Sequence, residues 1–154
     1  MEKSAFFNFI LYGFVFLFIV NCVASSEKFH VPPNSESKTP QNIIEYFCKK
    51  WTNANYASMY GALSSDVRDK ISFEDFKKSY KSEQKIKGLP DSYKIINVLQ
   101  DQGNKSLWSV QITYTNTRIQ PLTKQVWCEK ESKNIWRISD GIFANPSAGY
   151  SFIQ

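Results

Sequence analysis

The hydrophobic period changes once along this chain, and that switch constrains the fold more than any other feature. Ile44, Phe47, Cys48 and Trp51 stand at i, i+3, i+4 and i+7, and Tyr56, Met59, Tyr60 and Leu63 repeat the spacing, so each set lines one helix face. From Ser92 onward the repeat is two: Trp108, Val110, Ile112 and Tyr114 alternate with Ser109, Gln111 and Thr113, the mark of a half-buried strand. Helices first and strands afterwards, with short connections, describe an α+β domain rather than alternating βαβ units.

Local signals place the boundaries. Thr39-Pro40 reads as an N-cap followed by proline at the first helical position, where its missing N–H costs nothing, and a first helix is expected from about Gln41 to Trp51. A second short helix should follow the Thr52 to Asn55 break. Ser72-Phe73-Glu74-Asp75 resembles a capping box, with Ile71 and Phe76 placed as a hydrophobic staple, and opens a third helix whose stripe is Phe73, Phe76 and Tyr80. Gly88-Leu89-Pro90 ends the helical half. Strands are expected at about Tyr93 to Gln100, around Trp108 to Tyr114, at Leu122 to Lys130 and at Ile135 to Phe143. Three N-terminal helices packed in the concave face of a curved antiparallel four-stranded meander follow from this order.

The N-terminus carries a different message. Phe9 to Val20 is an unbroken apolar run, with Lys3 before it and Ala24, Ser25 and Ser26 after it, the layout of a secretory signal. At 12 residues it matches a signal core and falls short of the roughly 20 residues of a comfortable span. Cleavage, retention as an anchor and lipid attachment at Cys22 are the three fates open to residues 1–24, although Asn21 departs from the small residue a lipidated cysteine normally follows. All three place the remainder outside the cytoplasm, as a periplasmic, secreted or membrane-tethered protein. Residues 25–39 read as a polar, disordered linker, and residues 40–154 as the folded domain.

Composition narrows function mainly by exclusion. The net charge of +5 is dispersed; its densest stretch, Lys77 to Lys87, holds five lysines against one glutamate and reads as a solvated helix face. No arginine-rich run or reading motif points to nucleic acid. The one histidine, His30, falls in the linker, which argues against a Ser/His/Asp triad or a histidine-based metal site in the domain; no metal and no cofactor is expected. Cys48 lies on the apolar face of the first helix and Cys128 shares parity with Leu122 and Val126, so the two could meet inside as a disulfide or remain buried thiols.

The stretch from Ile44 to Tyr80 resembles the helical half of nuclear transport factor 2-like domains, most of all the non-catalytic N-terminal domain of some penicillin-binding proteins. The matching features are Trp51 before a short polar break, the Tyr56, Met59, Tyr60 cluster, and the Ile71, Ser72, Phe76, Tyr80 start of the third helix; Asn134 to Ile138 is similar to the last strand. The resemblance implies a cone with a pocket between helices and sheet, lined here by Trp51, Tyr56, Tyr60, Trp108, Tyr114 and Trp136. It also implies a homodimer in some relatives. Because it rests on packing residues, it implies fold more than activity.

Some proteins of this fold do proton-transfer chemistry in the pocket, which needs a carboxylate base and a hydroxyl donor. Asp140, sharing parity with Trp136 and Ile138, is the candidate acid, and Tyr60 and Tyr114 are the candidate donors. The reading taken forward is a non-catalytic module of the cell envelope that binds a small hydrophobic ligand or an envelope protein. A cone-pocket isomerase or dehydratase and a structural module or lipoprotein of the envelope are the alternatives.

Overall fold

The computed structural model describes residues 29–131 and 134–141. After a short 3-10 helix at Asn34–Ser37 come four helices, α1 (Pro40–Thr52), α2 (Tyr56–Gly61), α3 (Ser65–Lys70) and α4 (Phe73–Lys87). They are followed by β1 (Pro90–Asp101), β2 (Lys105–Tyr114), β3 (Leu122–Glu131) and β4 (Ile135–Asp140). The strands form one antiparallel meander in the order β1-β2-β3-β4, and bulges in β1 and at the β3–β4 pairing bend it.

The caps act as the sequence suggests. Thr39 Oγ1 accepts the Asn42 N–H at 3.1 Å, and Ser72 Oγ accepts that of Asp75 at 3.2 Å. Such caps are each worth about 1 kcal/mol. Gly88, at φ 78°, closes α4 with its N–H on the Gln84 carbonyl. A fourth helix joins the expected three: α3 has no buried residue, so no apolar stripe announces it. It is held instead from the sheet, because Glu131 Oε1 accepts both the Ser65 N–H at 2.7 Å and the Ser65 hydroxyl at 3.0 Å.

The core sits between α1, α2, α4 and the inward face of β2, β3 and β4. Ile43, Ile44, Phe47, Met59, Leu63, Phe76, Val110, Ile112, Val126 and Ile138 are completely buried. Ala62 to Ser64 adds to the free edge of β4 through a parallel bridge, with Ile138 N–H on the Ala62 carbonyl and Ser64 N–H on the Ile138 carbonyl. The opposite edge, β1, is long and largely exposed, with Ile96, Val98 and Leu99 facing solvent.

One boundary needs correction. The part of the 25–39 linker that lies within the described residues packs against the domain. The Phe29 ring sits 4.7 Å from that of Tyr60 and 5.5 Å from that of Phe73, Ser37 is fully buried, and its hydroxyl donates to the Pro33 carbonyl at 3.2 Å. Proline at 32 and 33 limits the entropy this strap loses, and the Phe29 ring contacts hold its start although Phe29 and Val31 both stay exposed. The signal-like run, Cys22 and Phe143 lie outside the described residues. Among the described residues no helix is long and apolar enough to cross a membrane.

Candidate functional site

The space expected to form the cone pocket is filled by aromatic side chains. Trp51 meets Tyr80 edge to face at 5.1 Å and Tyr114 at 6.1 Å, while Phe76 lies 4.7 Å from Tyr80 and 5.4 Å from Tyr60. Of the six residues assigned to a pocket lining, Trp51, Tyr56, Tyr60, Tyr114 and Trp136 are buried and Trp108 is partly buried against the core, its indole N–H held by the Ser106 hydroxyl at 2.8 Å. Trp51, Tyr56, Tyr60 and Tyr114 join Phe76 and Tyr80 in one set of contacting rings.

The three residues considered for proton transfer face different surroundings. Tyr60 donates to the Ile71 carbonyl at 2.7 Å and clips α2 to the start of α4. Tyr114 donates to Glu83 at 2.7 Å. Asp140 does not keep the parity of Trp136 and Ile138. Cys128 pairs with Ile138 but Trp127 pairs with Asp140, so Ser139 is the extra residue of a bulge that turns Asp140 to the outer face. Its neighbours there include Lys105, which lies over the Trp127 ring, and burial raises its carboxyl above the usual value. The inward reading of Asp140 is therefore corrected by one inserted residue.

Cys48 and Cys128 are both buried thiols. Cys128 Sγ faces the Pro40 carbonyl at 4.0 Å, at the N-terminal end of α1, whereas Cys48 lies two turns further along that helix. Burial, with the charge of Glu45, pushes the Cys48 thiol up to about 12, and burial raises Cys128 as well.

A polar cluster that the sequence reading passed over lies at the sheet side of α4. Glu83 Oε1 accepts from Tyr114 at 2.7 Å, Lys87 Nζ at 2.9 Å and Lys124 Nζ at 3.3 Å, and its other oxygen, Oε2, is buried with no hydrogen-bond partner. Lys124 also lies over the Trp51 ring and Lys87 over that of Tyr114. Burial drives the Glu83 carboxyl up, but the Lys124 charge and the hydrogen bonds from Lys87 and Tyr114 outweigh it, and the group sits below its ordinary value. Burial in turn lowers Lys124, and it raises Tyr114 together with the neighbouring Glu83 charge. The signal for this cluster was present: Glu83 and Lys87 continue the Phe76, Tyr80 face at i+7 and i+11, and Lys124 shares parity with Leu122 and Val126.

An accessible concavity lies outside the core. A half-open groove of about 580 Å³ runs between α1 and the strap, with Tyr46, Ser58 and Tyr93 among its lining residues. Its strap wall includes His30, so the histidine assigned to a free linker stands at a surface site. The wall is set closely: a Cβ on Gly61 would lie 2.3 Å from the His30 carbonyl oxygen, so only glycine allows the strap to cross α2 there. No group of His, Cys, Asp and Glu side chains among the described residues is arranged to hold a metal.

No family model matches the chain. It is similar to penicillin-binding protein 3 of Bacillus subtilis strain 168, with 26% identity over 114 residues, covering 66% of this chain and 17% of that protein's length. Among solved structures it is similar in fold to a SEC-C motif containing protein from Rhodopseudomonas palustris, at a TM-score of 0.52 and 8% identity, covering 68% of this chain and 77% of the other.

Proposed function

We propose that this chain is a nuclear transport factor 2-like module of the bacterial cell envelope, exported by its N-terminal apolar segment, that works by binding rather than by catalysis. The observation that carries the reading is the filled interior: Trp51, Tyr80 and Tyr114 occupy the space where relatives of this fold would hold a substrate. A carboxylate and a tyrosine do meet there, yet the Tyr114 hydroxyl is already donated to Glu83 Oε1, and the two lysines on that same oxygen hold the carboxyl below its ordinary value, which makes it a weak base. The groove between α1 and the strap is a concavity open to a partner. The similarity to a penicillin-binding protein and the signal-like run both support the envelope as the place of action.

Native mass spectrometry of the full chain, isolated gently from bacterial envelopes, tests this. The expected spectrum carries an added mass that is reduced in a Lys49→Glu, Lys50→Glu variant, because both residues line the groove. A bare chain that turns over a carbon acid, with activity lost in Tyr114→Phe, would establish the isomerase reading instead.

A further inference from the structure

We infer that the groove takes a short peptide with a free ammonium at one end and a free carboxylate at the other; this deepens the binding role proposed above and rests on it. Charge is separated along the wall that α1 gives the groove. At one end stands Glu45, whose backbone carbonyl accepts from the Tyr93 hydroxyl at 3.4 Å, and the strap brings Glu36 to the same tyrosine. At the other end stand Lys49 and Lys50, next to Asn55, whose N–H donates to the Lys50 carbonyl at 2.9 Å.

These charges are available to a ligand. Among the described residues Glu36 and Lys49 have no ion-pair partner, and the Glu45 carboxylate accepts only the neutral Gln41 amide, at 2.8 Å, although Lys49 follows it at the i+4 position where helical pairs usually form. Lys50 is steadied by the Tyr46 ring, 5.2 Å below it. Four residues of helix place the acidic and basic ends roughly 6 Å apart along the axis. An extended dipeptide spans roughly 7 Å. A volume of about 580 Å³ holds such a ligand with room for side chains against Val31 and Pro33.

The test is an amide-detected NMR titration of the full chain in detergent with glycylglycine, and separately with its N-acetylated, C-amidated form, which removes both charges and little else. Saturable shifts at Lys49, Lys50, Asn55 and Ser58 are expected, with the blocked form at least about tenfold weaker. Glu36→Gln and Lys49→Gln, both at exposed positions, should each weaken the free dipeptide about three- to tenfold and leave the blocked form unaffected. Equal affinity for the two forms, or no saturable shift at these amides up to about 10 mM, overturns the assignment. A silent titration of a chain that still carries an envelope-derived mass overturns the peptide and leaves the binding role standing.

Discussion

Tyr114, at the end of β2, donates its hydroxyl to Glu83 on α4 across 2.7 Å, and through this bond the last turns of α4 are fastened to the sheet. Lys87 and Lys124 complete the fastening from helix and strand. A buried carboxylate is tolerated here because three donors on Oε1, two of them cationic, offset the water it loses while Oε2 stays without a hydrogen-bond partner.

Removing the carboxylate should cost more than removing any one donor. Glu83→Ala leaves two lysines facing each other without a counter-charge and should destabilise by about 3–5 kcal/mol, whereas Tyr114→Phe, which deletes one hydrogen bond to a charged group, should cost about 1.5–3 kcal/mol. Lys81→Ala, on the exposed face of the same helix, should change stability by less than about 0.5 kcal/mol. Urea unfolding of the three variants checks the order.

The pH response has a defined sign. Because the folded Glu83 carboxyl lies below its ordinary value, its contribution is complete above the unfolded value of about 4.3 and is lost as pH falls through the folded one. Asp140 acts oppositely: its raised carboxyl favours the fold below the unfolded value of about 3.9, and that contribution is lost as pH rises through the folded one. In melting temperatures measured from pH 7 down to about 3, Glu83→Gln should flatten the acid limb and Asp140→Asn should steepen it.

The strap should be tested at Gly61. In an isolated helix alanine is favoured over glycine by about 1 kcal/mol, yet here the added Cβ meets the His30 carbonyl oxygen, so Gly61→Ala should lower the melting temperature. In a chain shortened to begin at Lys38 the same substitution should become neutral or stabilising. A penalty that persists in the shortened chain would show that the strap is not what glycine accommodates.

The thiols should be inert in the native state. With Cys48 pushed up to about 12 and Cys48 and Cys128 both buried, iodoacetamide at pH 8 should label neither of these two in a Cys22→Ser chain until denaturant is added. Intact-mass measurement after labelling gives the count, and a native chain two mass units lighter than the dithiol would reveal a bond.

Most of the fold was legible because it is written in periodicity. The stripe Ile44, Phe47, Cys48, Trp51 became a helix within one residue of the expected bounds, and the alternation from Trp108 to Tyr114 became a strand that begins three residues earlier, at Lys105. What escaped did so for particular reasons. α3 is capped by Glu131, 66 residues away, which no local window can see. Asp140 was turned outward by a single bulge, and strand parity assumes there is none. Glu83 was hidden by a count of lysines that took the helix as uniformly solvated, although its spacing from Tyr80 marked it as inward. The groove needs the strap and α1 together, and the strap's polar composition gave no sign that it would dock.

The central claim is that the interior is closed and the binding surface lies outside. Xenon enters apolar voids and leaves packed cores untouched, and the methyl groups of Ile44, Val110, Ile112 and Val126 report on the space between α1 and the sheet. Methyl NMR spectra of the full chain under xenon pressure should show no saturable shift at these four residues. A saturable shift shared by them would reveal a cavity beneath Trp51 and contradict the account.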